Sequence, residues 1–189
     1  MDFDIIYLQE IKTSYPFSVA GFSCIRSKII DAEELRGGVA VLIKNYLFDS
    51  YVYDVNELKD QLWFRLRPLP DLLLCVIYIP PHDSPFFTNT SFAFIQEQVY
   101  NNPNIGLLIM GDLNAHLGSL EYFHGIHGYR YSFNPDRNIN NHGRAIREIS
   151  DNLNLIPLNH LRWGPMEAGG GLTYRQGKEW KSQIDWVFC

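Results

Sequence analysis

The sequence predicts a single α+β or layered α/β domain. Three observations carry that expectation. The chain has 189 residues, enough for one domain with a sizeable core and few for two. Short apolar runs bounded by turn residues recur along it and read as strands. Only two segments space their apolar residues as a helix does, which excludes a helical bundle.

The elements follow in order. Phe3 to Leu8 is almost continuously apolar and is expected to be a strand buried on both faces. Phe22 to Ile25 and Gly38 to Ile43 are the next strands, separated by a charged turn. Leu47 to Val55 and Leu62 to Leu66 read as an antiparallel pair. Leu72 to Ile79 is a buried run stopped by Pro80-Pro81, and Ile105 to Met110 is another. The first helix is expected over Phe87 to Tyr100, with apolar residues at 87, 92, 94, 95 and 99 after Ser84-Pro85. The second spans His142 to Leu155, where Ile146, Ile149, Leu153 and Leu155 keep a mostly helical spacing. Strand patterns return at Leu155 to Leu158, Leu172 to Arg175 and Gln183 to Phe188. Gly169-Gly170-Gly171 is expected to be a surface loop, because the Lys-Ser/Thr and helix of a phosphate loop do not follow it. No repeat, low-complexity segment or linker divides the chain.

Composition excludes several classes. Apolar residues make up 46% and charged residues 20%, an ordinary globular balance. The longest apolar runs fall far short of the ~20 residues of a membrane helix. The acidic start, Met1-Asp2-Phe3-Asp4, is unlike a signal peptide, so an intracellular protein, nuclear or cytoplasmic, without a membrane partner is expected. Cys24, Cys75 and Cys189 show neither paired nor zinc-binding spacing and suit a reducing compartment. The net charge of −5 argues against a protein that coats nucleic acid at large. The charge is uneven: residues 1–129 hold 8 Lys+Arg against 15 Asp+Glu, and residues 130–189 hold 8 against 6. The mildly basic last third suits a phosphate backbone, and equally suits ordinary surface variation.

The sharpest local signal is Ile105-Gly-Leu-Leu-Ile-Met-Gly-Asp112-Leu-Asn114-Ala-His116. A buried strand runs straight into Gly-Asp-x-Asn. Two residues apart, Asp112 and Asn114 share a side if the extended conformation continues, and His116 shares it too. A carboxylate beside a carboxamide at a strand's C-terminal end can hold a water next to an anionic ester oxygen. The same residues are also ordinary turn chemistry. Glu10 ends the first strand. Alone it is a solvated surface group; in company it is a hard-oxygen ligand of the kind Mg²⁺ takes. Tyr78, near the end of Leu72 to Ile79, reads by itself as a core aromatic with a satisfied hydroxyl. Asp185 lies in Ser182-Gln-Ile-Asp-Trp-Val-Phe, with Gln183, Asp185 and Val187 on one face and Ser182, Ile184, Trp186 and Phe188 on the other. A carboxylate in so apolar a strand calls for a partner: a histidine, a metal-site hydrogen bond or a buried arginine.

Taken together, Leu8-Gln9-Glu10, Arg36-Gly-Gly-Val-Ala-Val41, Val76-Ile-Tyr78-Ile-Pro80-Pro81, Gly111-Asp112-Leu-Asn114, Leu172-Thr173-Tyr174 and Ser182-Gln-Ile-Asp185 occur in an order that resembles the endonuclease/exonuclease/phosphatase superfamily. The resemblance spans nearly the whole chain and is greatest to the endonuclease domains of non-LTR retrotransposons. It implies a DNase-I-like fold, a four-layer α/β sandwich of two mixed β-sheets flanked by helices. It implies metal-dependent hydrolysis of DNA phosphodiesters with Mg²⁺, or Mn²⁺ in its place, and a longer polypeptide carrying a reverse transcriptase. Residue by residue, Glu10 resembles the metal-binding glutamate and Tyr78 the tyrosine that hydrogen-bonds the scissile phosphate. Asp112 and Asn114 resemble the pair that positions the nucleophilic water and the phosphate oxygens. Thr173 resembles the threonine ahead of the last active-site strands, and Asp185 the aspartate that orients the catalytic histidine. Arg144, in Asn141-His142-Gly143-Arg144, is placed to reach phosphate or to form a helix-surface salt bridge.

Two parts of the pattern are missing. The family's first strand, with its asparagine, and its final Ser-Asp-His strand have no counterpart, so a domain truncated at both ends, lacking the catalytic histidine and with its hydrolysis incomplete in this chain, is expected. Of the six histidines, His82, His116, His124, His127, His142 and His160, surface or capping roles are expected, and His116 alone is placed to approach the site. Two further readings stand beside the nuclease: a phosphatase or phosphodiesterase of the same superfamily, and a catalytically dead interaction module. The joint presence of Glu10, Tyr78, Asp112, Asn114 and Asp185 weighs against the last. The sequence leaves the oligomeric state open.

Overall fold

A computed structural model of the chain describes residues 3–13, 17–27, 38–58, 60–123, 130–131, 134–163, 166–167, 173–176 and 178–189. Arg36, Gly37, His124, His127, the Gly169-Gly170-Gly171 loop and Leu172 lie outside them. The contacts group into two compact units, residues 1–78 with 104–111 and residues 79–103 with 112–189.

In the first unit, β1 (Ile5–Gln9), β2 (Phe22–Arg26) and β3 (Val39–Lys44) form an antiparallel sheet with β3 in the middle. Then come α1 (Asn45–Tyr51), β4 (Val52–Glu57), β5 (Gln61–Leu66), β6 (Leu69–Tyr78) and β7 (Gly106–Asp112). Strands β7, β6, β5 and β4 lie side by side in that order, with β4, β5 and β6 antiparallel. Gly106 lies against Asp71 and Gly111 against Ile77, so β7 runs in the same direction as β6. The sheets face each other through one apolar cluster: Val39, Val41 and Ile43 of β3, Leu62 and Phe64 of β5, and Leu74, Val76 and Tyr78 of β6. These are alternate residues, as the two-residue period of a strand requires. The intervening Ala40, Leu42, Trp63, Leu73, Cys75 and Ile77 are buried as well, which is why these runs are continuously apolar in sequence. Each such side chain contributes roughly 1.5–3 kcal/mol by leaving water.

Two expectations are corrected here. Phe3 to Leu8 is not buried on both faces: every residue of β1 is only part-buried, because β1 is an edge of its three-stranded sheet. Leu47 to Tyr51 is helical, not extended; Leu47 and Phe48 pack onto the core cluster from α1, and the strand begins at Val52.

In the second unit, α2 (Thr90–Asn101) and α3 (Asn141–Leu153) pack together. Helix α2 starts three residues later than its apolar pattern suggests. Short strands β8 (Arg130–Tyr131), β9 (Leu161–Trp163) and β10 (Met166–Glu167) form a sheet in the order β10-β9-β8, and β11 (Tyr174–Gln176) pairs with β12 (Glu179–Ser182). Strand β13 (Asp185–Phe188) buries Trp186 and Phe188 and leaves Asp185 and Val187 half-buried, the expected alternation. The Leu155 to Leu158 segment forms a short ladder with its end, through Leu158 N–H to Val187 O (2.7 Å) and a reciprocal pair between Ile156 and Cys189 (2.8 and 3.0 Å).

Helix α3 is held at both ends. The Asn140 carboxamide oxygen accepts from Gly143 N–H at 2.8 Å, a side-chain N-cap. Asn154 closes the helix in the left-handed conformation, φ 55°, which asparagine tolerates. Among the described residues no helix is long and apolar enough to cross a membrane, and Cys24, Cys75 and Cys189 are free thiols.

Candidate active site

In the first unit, Glu10 and Tyr78 are brought together from 68 residues apart. Glu10 follows β1 with a left-handed backbone, φ 50°, which turns it off the strand. Ile11 N–H then bonds Gly38 O at 3.2 Å. The Tyr78 hydroxyl donates to Glu10 Oε1 at 2.7 Å, and Lys12 Nζ lies 3.0 Å from Oε2. Asp60, buried, ties the frame: its carboxylate accepts from Gly38 N–H at 3.1 Å and its carbonyl from Tyr78 N–H at 2.9 Å. Partial burial pushes the Glu10 carboxyl up, but the Tyr78 and Lys12 hydrogen bonds and the Lys12 charge outweigh it and hold the group below its ordinary 4.5. A value lowered in the folded chain adds stability that is complete above 4.5 and is lost as the pH falls through the folded value. Tyr78→Phe removes one donor, so the Glu10 midpoint moves up toward 4.5, read by carboxylate ¹³C NMR. An unmoved midpoint would assign the effect to Lys12 alone.

In the second unit, Asp112 and Asn114 are joined by a turn. Asp112 Oδ1 accepts from Asn114 N–H at 2.8 Å, and Asn114 is left-handed at φ 45°. The alternation expected to align Asp112, Asn114 and His116 therefore does not hold; the strand ends at Asp112, and the side chain folds back on the next turn. Asn114 Nδ2 donates to Ile79 O at 2.9 Å, and Ile79 N–H bonds Asp112 O at 2.8 Å. The loop is clamped from behind by Asn140, whose Nδ2 donates to Asn114 O at 2.7 Å and whose Oδ1 accepts from His116 N–H at 3.1 Å. Ala115, fully buried between them, receives the Trp186 indole N–H on its carbonyl at 2.7 Å. Asn140→Ala removes the cap and both clamps, and is expected to cost about 1–2 kcal/mol for the cap alone, measured by urea unfolding.

His116 has an aspartate partner that the sequence did not signal. Its Nδ1 lies 2.7 Å from Asp136 Oδ2; the imidazole is 27% exposed and the carboxylate 1%. Asp136 also accepts from Gln183 N–H at 3.1 Å and Asn138 N–H at 3.1 Å. Asn-Pro-Asp136-Arg-Asn reads as a turn, and nothing in its spacing points to His116.

The remaining candidates make local contacts. Thr173 Oγ1 accepts from Ile184 N–H at 3.0 Å and Asp185 N–H at 3.2 Å, fixing the start of β13. The Asp185 carbonyl accepts from Asn159 Nδ2 at 3.4 Å; its carboxylate has no hydrogen-bond partner among the described residues. Arg144 donates to the Asn141 carboxamide at 2.9 Å on the exposed face of α3. Two histidines depart from the surface role expected of them. His142 is buried between Phe87 and Phe92 with Nδ1 3.1 Å from Leu113 O, and burial lowers its pKa. His160 is buried on the Gln183 carboxamide at 2.7 Å. His82 is exposed and stands 5.2 Å from the Phe87 ring.

Among solved structures, the AP endonuclease LMAP from Leishmania major matches 98% of this chain over 69% of its own, with a TM-score of 0.66 and 14% identity. The human Nocturnin catalytic domain, solved with a bound sulfate anion, matches 98% of this chain over 68% of its own, with a TM-score of 0.51 and 14% identity. The fold is DNase-I-like. Both matches extend over 98% of the chain. No family profile and no curated protein matches the sequence.

Among the described residues no cluster of three or more His, Cys, Asp or Glu side chains is arranged to hold a metal ion, and Glu10 is a single exposed carboxylate. Mg²⁺ takes one or two carboxylates and keeps several waters. Glu10, held below 4.5, is 43% exposed on its side chain and pairs with Lys12, whose side chain is 54% exposed.

Proposed function

We propose that this chain is a metal-dependent phosphodiester hydrolase acting on DNA, of the non-LTR retrotransposon endonuclease type. The observation that carries the reading is the 2.7 Å hydrogen bond between Tyr78 and Glu10. Two residues picked out by separate motifs, Glu10 and Tyr78, meet in one hydrogen bond within a DNase-I-like fold. That convergence is hard to reconcile with an interaction module that has lost its chemistry.

Each residue has a task its geometry supports. Glu10 would hold the Mg²⁺, kept anionic by Tyr78 and Lys12. When bound, the ion supplies charge neutralisation on the phosphate. The Tyr78 hydroxyl, placed by Asp60, donates its one proton to Glu10 and so orients that carboxylate. The Asp112 carboxylate accepts a proton or hydrogen bond from the attacking water while its other oxygen keeps the turn. Asn114 fixes that turn through Ile79 O. Thr173 and Asp185 set the start of β13.

The test is Mg²⁺-dependent nicking of supercoiled plasmid by the full chain, beside cleavage of an abasic duplex and of soluble phosphomonoesters. Nicking that is abolished by chelation supports the reading. Turnover of the soluble esters with no action on either DNA would instead favour the phosphatase reading, and no turnover on any substrate would sink both.

A further inference from the structure

We propose that His116, oriented by the buried carboxylate of Asp136, contacts the substrate through Nε2, donating in its imidazolium form a hydrogen bond to a phosphate oxygen held at the Asp112–Asn114 turn. The inference rests on the phosphodiesterase reading for its substrate and on independent geometry for its residue.

Four observations support it. A carboxylate 1% exposed, taken from water, is costly unless its oxygens are met by donors. Asp136 has two backbone donors and one imidazole N–H, all between 2.7 and 3.1 Å. The acceptor on Nδ1 fixes the ring, so Nε2 is the nitrogen left to act, the division of labour seen whenever a buried aspartate orients a working histidine. Nε2 has no hydrogen-bond partner among the described residues, and the ring, unlike Asp136, reaches solvent.

The place is fixed as firmly as the ring. One carboxamide, that of Asn140, holds both Asn114 O and His116 N–H. Two residues apart, the Cα atoms of Asn114 and His116 are separated by at most about 7.6 Å. A phosphodiester drawn to the turn therefore lies within reach of a neighbouring imidazole. His160 and His142 offer nothing comparable: the first is buried on Gln183, and the second is enclosed by aromatic rings with its Nε2 buried.

The experiment uses the full chain with His116→Ala and His116→Gln, each checked for folding by thermal melting. A charge-assisted hydrogen bond to phosphate predicts a loss of about 10- to 100-fold in kcat/KM for plasmid nicking with alanine. Glutamine, which keeps a donor, should restore part of it. Wild-type rates for His116→Ala, or equal losses for both variants, would overturn the proposal, the latter by showing a merely structural role. If the wild-type chain nicks nothing, the phosphodiesterase reading fails, and ring ¹⁵N NMR decides the contact separately. Saturable movement of the His116 Nε2 signal on adding a phosphorothioate-linked DNA duplex supports it. A signal unmoved by the duplex rules it out.

Discussion

Asp112→Asn is expected to lower Mg²⁺-dependent plasmid nicking by about 10²- to 10⁴-fold, the range for losing a positioned acid–base group, with the fold intact. The substitution keeps a side-chain oxygen for the 2.8 Å bond from Asn114 N–H and removes only the charge. The backbone bond from Ile79 N–H to the carbonyl of residue 112 is untouched. A fall in kcat at unchanged melting temperature would therefore report lost chemistry, not a lost turn. Asp112→Ala makes the complementary point, because it removes the turn bond as well and should show both losses. Nicking by Asp112→Asn at the wild-type rate would remove Asp112 from the reaction.

Gly111→Ala carries the largest expected cost in stability. Gly111 has φ +153°, and a Cβ there would lie 1.8 Å from Ile77 O and 2.9 Å from Ile77 C. Both atoms are main chain of β6, so no side chain can swing aside. Accommodating the methyl means pulling β7 away from β6, beside the cluster of Leu74, Val76 and Tyr78. Overpacking of this kind costs about 1–3 kcal/mol and more where backbone must move, and the upper end is expected. Gly106→Ala on the same strand is the internal control. Its Cβ would meet Asp71 O at 3.3 Å and Leu72 Cδ1 at 3.4 Å, contacts that a shift of tenths of an ångström relieves. Urea midpoints should fall sharply for the first variant and little for the second; equal midpoints would contradict the close approach.

The strands that were plain in the sequence are those whose two faces are both buried. Gly38 to Ile43, Leu62 to Leu66 and Leu72 to Ile79 could hardly be anything else at that length and content of β-branched and aromatic residues. Leu47 to Tyr51 misled because Leu, Phe and Tyr suit strands as well as helices, and packing onto the core decided between them. Glu10, Tyr78 and Asp112 stood out through motif order, yet their hydrogen bonds did not. The left-handed turns at Glu10 and Asn114 break the alternation on which any reading of faces depends. Asp136 was out of reach altogether: it is joined to His116 across 20 residues of chain, and local spacing carries no trace of such a pairing.

Asn140 gives these elements a shared fate. A single amide group initiates α3 and secures the segment from Asn114 to His116, so neither can come loose without forfeiting bonds that belong to the other. Fraying of the first helical turn and opening of that segment become one cooperative event, a small foldon whose amides should exchange with solvent together. The precision of the turn is thereby set by a helix whose own stability lies well outside it.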